Sequence, residues 1–303
     1  MASTAKQPLA GPDRRLVVGC GYLGERVARR WAAAGSQVFA TTRRDARADA
    51  LKMLGLEPAV VDVTASDPGW ERLLDRGGVP AAVFWGVGFD RTAGTTHHDV
   101  HVHGLRRLLD ALAAARGSAP PPRVILSSST GVWGDAGGDI VTEATPPCPA
   151  REAGRVLLEA ESVLATHPAG PGTALRFAGL YGPGRLPRIA DLEAGRPIAA
   201  DPDSWLNLIH VDDAAAVVSA VADAPSVGGL YVVSDGRPIR RREWYGRIAA
   251  LTGSPEPRWD PTAARERGAD KRVDPARLVA DLGFRPVHPD ALAAVAVLLD
   301  RPV

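Results

Sequence analysis

LVVGCGYLGERVARRW, residues 16–31, decides the fold. Three apolar β-formers, Leu16–Val18, run straight into Gly19-x-Gly21-x-x-Gly24, and an Ala- and Arg-rich helical stretch follows over Glu25–Ala34. A strand, a glycine turn and a helix in that order form the context in which such a turn binds a dinucleotide. Gly19 permits the tight turn, Gly21 lets the backbone approach a pyrophosphate, and Gly24 lets helix and strand pack closely. Tyr22 and Leu23 complete the turn at the helix start, where unpaired N–H groups and positive potential favour an anion. Gly19, Gly21, Tyr22, Leu23 and Gly24 are therefore candidate cofactor ligands. A purely structural glycine turn is the alternative.

Outward from this turn, short apolar runs alternate with amphipathic, helix-length stretches. Strands are predicted at Gln37–Thr41, Pro58–Val61, Ala81–Trp85 and Arg123–Leu126, and helices at Ala48–Leu54 and Val100–Ala115. That alternation predicts an α/β, Rossmann-type, doubly wound parallel sheet. The second half is more irregular, with Pro- and Gly-rich pieces, further strands at Thr173–Phe177 and Leu230–Val233, and helices at Ala150–Ala165, Asp213–Ala222 and Arg241–Leu251. It predicts a smaller C-terminal α/β substrate lobe made of excursions from the main sheet. The expected division is a loose tail over 1–13, a nucleotide domain over 14–179 plus 206–233, and a lobe over 180–205 and 234–303.

The second strand ends in Thr41-Thr42-Arg43-Arg44, where a site for NAD usually carries a carboxylate for the ribose hydroxyl. Two guanidiniums there favour a 2′-phosphate, so NADP(H) is expected over NAD(H). The same arginines would also suit a solvated loop. Asp62 and Val63 are placed to flank the adenine, although Asp62 would serve equally as a turn cap. Gly86, after the fourth strand, lets a cofactor approach closely.

Bulk properties narrow the function classes. A chain of 303 residues with a formal net charge of +1 has no global field for nucleic acid or membrane. No apolar run approaches the roughly 18 residues of a membrane span, and the first residues have no apolar signal-peptide core. Two cysteines, Cys20 and Cys148, are too few for a disulfide framework and point to a reduced cytoplasm. A small-molecule substrate is the expected partner.

Several further stretches resemble the extended, atypical short-chain dehydrogenase/reductases, the NAD-dependent epimerase/dehydratase-like family. They are SSSTGVWG at Ser127–Gly134, LRFAGLYGPGR at Leu175–Arg185, NLIHVDDAA at Asn207–Ala215, YVVSDGRPI at Tyr231–Ile239 and KRVDPARLVADLGF at Lys271–Phe284. The resemblance implies an oxidoreductase or epimerase on a nucleotide-sugar or other polar metabolite. It also implies a homodimer pairing Val100–Ala115 with Ala150–Ala165, for which Val156, Leu157, Leu158 and Leu164 supply apolar surface, or equally a monomer core.

In that family a Ser or Thr, a Tyr and a Lys work together, because a carbonyl receiving hydride needs a proton donor beside it. Ser129 stands at the Ser/Thr position, with Thr130 next to it. The family's Tyr and Lys positions fall on Ala153 and Leu157, and no Tyr-x-x-x-Lys occurs in the chain. Tyr181 is a candidate substitute acid, or a structural residue as in the family. Arg155, beside the empty positions, and Arg185 are candidate ligands of an anionic substrate, and Trp133 lines a pocket or the core. His97 and His101, four apart, lack an obvious third ligand, so no metal is expected. Three readings stay open: an NADP(H)-dependent oxidoreductase with a displaced acid, a non-catalytic NADP(H)-binding sensor or scaffold, and a lyase or isomerase that holds its cofactor tightly and recycles it.

Overall fold

The computed structural model describes residues 13–170, 172–260 and 270–299. Its centre is a seven-stranded, all-parallel sheet. The strands are β1 (Arg14–Val18), β2 (Gln37–Thr42), β3 (Glu57–Val60), β4 (Ala82–Trp85), β5 (Arg123–Ser129), β7 (Thr173–Phe177) and β11 (Leu230–Val233), in the order β11-β7-β5-β4-β1-β2-β3. Side chains alternate across each strand. Val17 accordingly joins one core layer with Val27, Trp31 and Val217, while Leu16 and Val18 join the other with Leu105, Leu108 and Leu112. Helices α1 (Tyr22–Ala33) and α7 (Val211–Asp223) contribute to the first layer, and α4 (Gly104–Ala115) and α5 (Glu152–Thr166) to the second. This is the doubly wound α/β arrangement expected from the alternation.

A third apolar cluster, built on Tyr181, Leu192, Ile198, Trp244, Tyr245, Ile248 and Val295, forms the core of the smaller lobe. Short ladders connect lobe and sheet. β8 (Gly179–Tyr181) pairs in parallel with β10 (Leu208–His210), β9 (Trp205–Leu206) antiparallel with β12 (Ile239–Arg240), and β6 (Ile140–Val141) in parallel with β13 (Arg272–Val273).

Several boundaries differ from the sequence reading. Helix α1 begins at Tyr22, inside the glycine motif, not at Glu25. The helix expected over Val100–Ala115 is preceded by a wider π-helical turn, Asp99–His103. A helix at Trp70–Gly77 was not anticipated. Asp13, the last residue of the expected tail, accepts from Gln37 N at 2.8 Å and bonds Ser36 Oγ at 2.6 Å, so the sheet's edge holds it; residues 1–12 lie outside the described residues.

Helix α5 is tied to the sheet by a buried ion pair. Arg176 on β7 donates to both carboxylate oxygens of Glu161, at 3.0 and 2.7 Å, and Ser128 on β5 donates to the same carboxylate. The guanidinium lies 4.5 Å from the Trp133 ring centroid, with Arg176 only 4% exposed. Removing one partner of such a pair strands a buried charge at a cost of about 3–5 kcal/mol. Glu161→Ala should therefore lose about that much unfolding free energy at pH 7 in urea denaturation, and a loss below about 1 kcal/mol would contradict the assignment.

Candidate active site

Two grooves open at the carboxyl edge of the sheet. The first, about 350 Å³, is lined by Gly19, Cys20, Gly21, Thr41–Arg44, Arg47, Val61, Val63, Gly86–Gly88 and Asp90. Gly19 has φ +82°, and a Cβ there would meet Val87 Cα at 2.7 Å. Gly24 is as tight, because a Cβ would lie 2.5 Å from Gly19 O. At Gly21 a Cβ would find nothing within 4 Å, so its bare backbone faces open space at the start of α1. That exposed backbone, with the donors of the first helical turn, fits a pyrophosphate. Gly86 and Val63 line the groove. Burial pushes the Cys20 thiol up to about 12, so it stays protonated.

At the adenosine end the groove holds Arg43, Arg44 and Arg47. Arg43 pairs with Asp90 at 2.8 Å, and Arg47 pairs with Glu25. Asp90 was not anticipated. The hydroxyl and amide of Thr92, then Arg43, hold its carboxyl down to about 2.

The second groove, about 570 Å³, lies between the ends of β5 and β7 and the lobe. Ser127–Gly131 and Phe177–Leu180 line the sheet side, and Trp205–Asn207, Arg241 and Lys271 the lobe side, with Arg151 and Arg185 also present. Four cationic residues and no carboxylate line it among the described residues. Ser129 Oγ accepts from Gly131 N at 3.1 Å, capping the 3₁₀ turn Thr130–Trp133 and leaving the hydroxyl proton to donate. Thr130 stands beside it on the same wall.

Other sequence candidates lie elsewhere. Asp62 caps a turn, accepting from Thr64 N at 2.9 Å and Thr64 Oγ1 at 2.7 Å, and the groove takes Val61 and Val63 instead. The Leu23 side chain belongs to the core, so only its backbone is available to a ligand. The Tyr22 ring lies under Arg26 and Arg185, at 4.4 and 5.4 Å, away from the first groove's lining. Tyr181 is fully buried between His210 and Trp244 and lines neither groove, and burial raises its pKa further above the phenolic range. Trp133 is a core residue, 2% exposed, donating to Thr145 O. Arg155 is exposed outside the groove, and Arg151, one helical turn earlier, takes its place.

Lys271 and Arg241 were missed. The signal available for Lys271 was its rarity, since only Lys6, Lys52 and Lys271 are lysines among 36 Lys and Arg residues.

Burial lowers His101 to about 4, with His97 adding to the effect. His210 stacks on His288 at 3.8 Å, and Asp213 accepts from Val287 N and His288 N at 2.8 and 2.9 Å, which clips the lobe to α7. His210, Asp213 and His288 are close enough together to hold an ion, but the backbone donors already engage both Asp213 oxygens.

The sheet, the glycine turn and the paired grooves define a Rossmann-type α/β protein with a groove suited to a nicotinamide dinucleotide. The chain belongs to the NAD dependent epimerase/dehydratase family, whose model matches residues 15–234. It is 30% identical to Protein YeeZ of Escherichia coli (strain K12) over 280 residues, covering 91% of this chain and 96% of that protein. A functionally unknown conserved protein from Silicibacter pomeroyi DSS superimposes with a TM-score of 0.76 at 28% identity, over 94% of this chain and 98% of that one. The fold is also that of a Thermus thermophilus UDP-glucose 4-epimerase in complex with NAD, with a TM-score of 0.77 at 21% identity, over 96% of this chain and all (100%) of that one.

Asp235, behind the lobe ladder, is a buried carboxylate with one amide donor, Arg237 N at 2.9 Å, and no partner on Oδ2 among the described residues. Burial pushes its pKa from 3.8 to about 7. A folded-state pKa above the unfolded one means that the folded protein binds the extra proton, so stability is lost as pH rises from about 4 through 7. Asp235→Asn should remove that loss. We expect a Tm higher by about 2–6 °C at pH 8 and little changed at pH 4 in a thermal scan. A fall in Tm at pH 8 would contradict the assignment.

Proposed function

We propose that the protein is an atypical NADP(H)-dependent oxidoreductase acting on an anionic polar metabolite or a nucleotide-sugar, without the Tyr-x-x-x-Lys pair. The observation that carries this reading is the second groove. It lies on the same sheet edge as the dinucleotide groove, keeps Ser129 on its wall and gathers Arg185, Arg241 and Lys271, with Arg151 beside them and no carboxylate among its described lining residues. Such a cationic lining favours a phosphate or carboxylate on the substrate.

Gly19, Gly21, Gly86 and the α1 N-terminus would hold the dinucleotide, which when bound supplies or accepts a hydride. Ser129 Oγ would donate a hydrogen bond to the reacting oxygen, with Thr130 beside it. The arginines would orient the substrate by its anionic end. The nucleotide-sugar alternative draws support from the shared fold with a UDP-glucose 4-epimerase.

That neighbour holds NAD; the preference for NADP(H) here rests on Arg43, Arg44 and Arg47. Arg44 has no side-chain partner among the described residues, so its fork is available to a 2′-phosphate. Arg44→Ser should weaken NADPH binding by about 10–100-fold, the loss of one charge-assisted contact, and leave NADH binding within about twofold. Fluorescence titration with both cofactors reads this, and a wild type that prefers NADH would sink the phosphate role. Ser129→Ala with unaltered turnover would sink the role of Ser129.

The second reading, a non-catalytic NADP(H) sensor or scaffold, draws on Ala153 and Leu157 at the family's Tyr and Lys positions. A screen of anionic carbonyl compounds for NADPH oxidation separates the two, with turnover favouring the enzyme. A cytoplasmic location accords with Cys20 and Cys148 both being free thiols. For the proposed homodimer, Val156 and Leu164 are already spent in the chain's own core, so its surface would rely on the half-buried Leu157 and Leu158.

A further inference from the structure

Lys271 is the one lysine among the described lining of the second groove and is only 3% exposed. Burying an ammonium is costly unless it is paired, yet Lys271 makes no ion pair among the described residues. Its Nζ donates to Gly134 O at 2.7 Å. An ammonium has three protons, so two remain beyond that bond, on a residue that lines the groove. Gly134 ends the 3₁₀ turn that Ser129 caps, and the bond therefore anchors Nζ to the wall that carries the serine.

The backbone around Lys271 is held on both sides. Asn207 Nδ2 donates to Lys271 O at 2.8 Å, and Asn207 Oδ1 accepts from Val273 N at 2.9 Å. Arg272 N donates to Asp139 O at 2.9 Å as β13 pairs with β6. The nearby carboxylates are turned to the backbone: Asp270 Oδ1 accepts from Trp205 N, and Asp135 Oδ1 from Gly137 N.

We propose that Lys271 is the proton carrier that stands in for the missing tyrosine–lysine pair, giving its proton to the substrate oxygen held by Ser129. The inference rests on the oxidoreductase reading. In the reductive direction the N–H bond at Nζ breaks and an O–H bond forms on the carbonyl oxygen as the two-electron equivalent from the dinucleotide reaches carbon. The amine is left neutral and regains its proton from water. In the oxidative direction the neutral amine takes the hydroxyl proton.

A guanidinium cannot perform this exchange, because arginine does not deprotonate in proteins. A chain that otherwise uses arginine nearly everywhere keeps lysine here. Burial brings the ammonium from 10.5 down to about 8; Arg241 and Arg151 push the same way, while Asp135 and Asp270 oppose them. A proton carrier works best with its pKa near the working pH.

The test combines a titration and kinetics. Protein labelled with ¹³C,¹⁵N-lysine gives one Cε correlation for each of the three lysines. The expected result is one resonance titrating near pH 8 in the cofactor-free wild type and absent in Lys271→Met. With a carbonyl substrate found by the screen, Lys271→Arg and Lys271→Met should each lower kcat/KM by about 10²–10⁴-fold. NADPH affinity should stay unchanged, and the wild-type fall in rate above pH 8 should vanish. A resonance titrating above pH 10, or Lys271→Arg within threefold of wild type, overturns the lysine and leaves the oxidoreductase reading standing. A wild type that binds NADPH but turns over no carbonyl overturns that reading, and the lysine's role with it.

Discussion

The close approach of backbone to backbone at Gly19 and Gly24 is the constraint on which the rest of the molecule depends. No side chain fits between α1 and the turn, where a Cβ at Gly24 would lie 2.5 Å from Gly19 O. None fits between the turn and the loop leaving β4, where a Cβ at Gly19 would lie 2.7 Å from Val87 Cα. The two loops therefore form the walls of the first groove from main chain, and Gly21 leaves its open side bare. A site made of backbone survives wide change in side chains. Such a groove makes no demand on the residues of the helix across the sheet edge, where Ala153 and Leu157 stand.

The segment NLIHVDD shows what the family-like motifs do physically. Asn207 holds the backbone on both sides of Arg272, His210 caps α7 by accepting from Asp212 N at 3.3 Å, and Asp213 catches the chain at 287–288. Three side chains within seven residues thus fasten two separate parts of the lobe to the sheet. The motif is a clamp, and its effect on chemistry is indirect, since it fixes where Lys271 stands.

The central sheet was legible because most of its strands are apolar runs bounded by Gly, Pro or polar turns, and its longer crossover helices have their own periodicity, whereas the helix at Trp70–Gly77 was too short to stand out. The ladders β6–β13 and β9–β12 were not, because two-residue strands carry no period. Trp133 and Tyr181 illustrate a different limit. An aromatic residue at a strand end reads the same whether it faces a groove or the core, and both face the core. Arg151 and Arg155 lie one helical turn apart, and the choice between them depended on how α5 docks. Lys271 reaches Gly134 across 137 residues of chain, a contact no local pattern announces.

The empty tyrosine and lysine positions acquire a physical context from that docking. The start of α5 is drawn tight against the Ser129 turn: at Gly154 a Cβ would lie 2.8 Å from Pro149 Cβ and 3.2 Å from Gly131 O. Ala153 and Leu157 flank this contact on half-buried faces of the helix, where short or apolar side chains pack well. The wall that would have carried the proton relay is thus given over to packing. The opposite wall, from the lobe, supplies a buried ammonium and a guanidinium. A groove needs its proton carrier within reach of the substrate oxygen, whichever wall bears it. Apolar packing at Ala153 and Leu157 on α5 and the buried Lys271 on the lobe side are thus two faces of one groove.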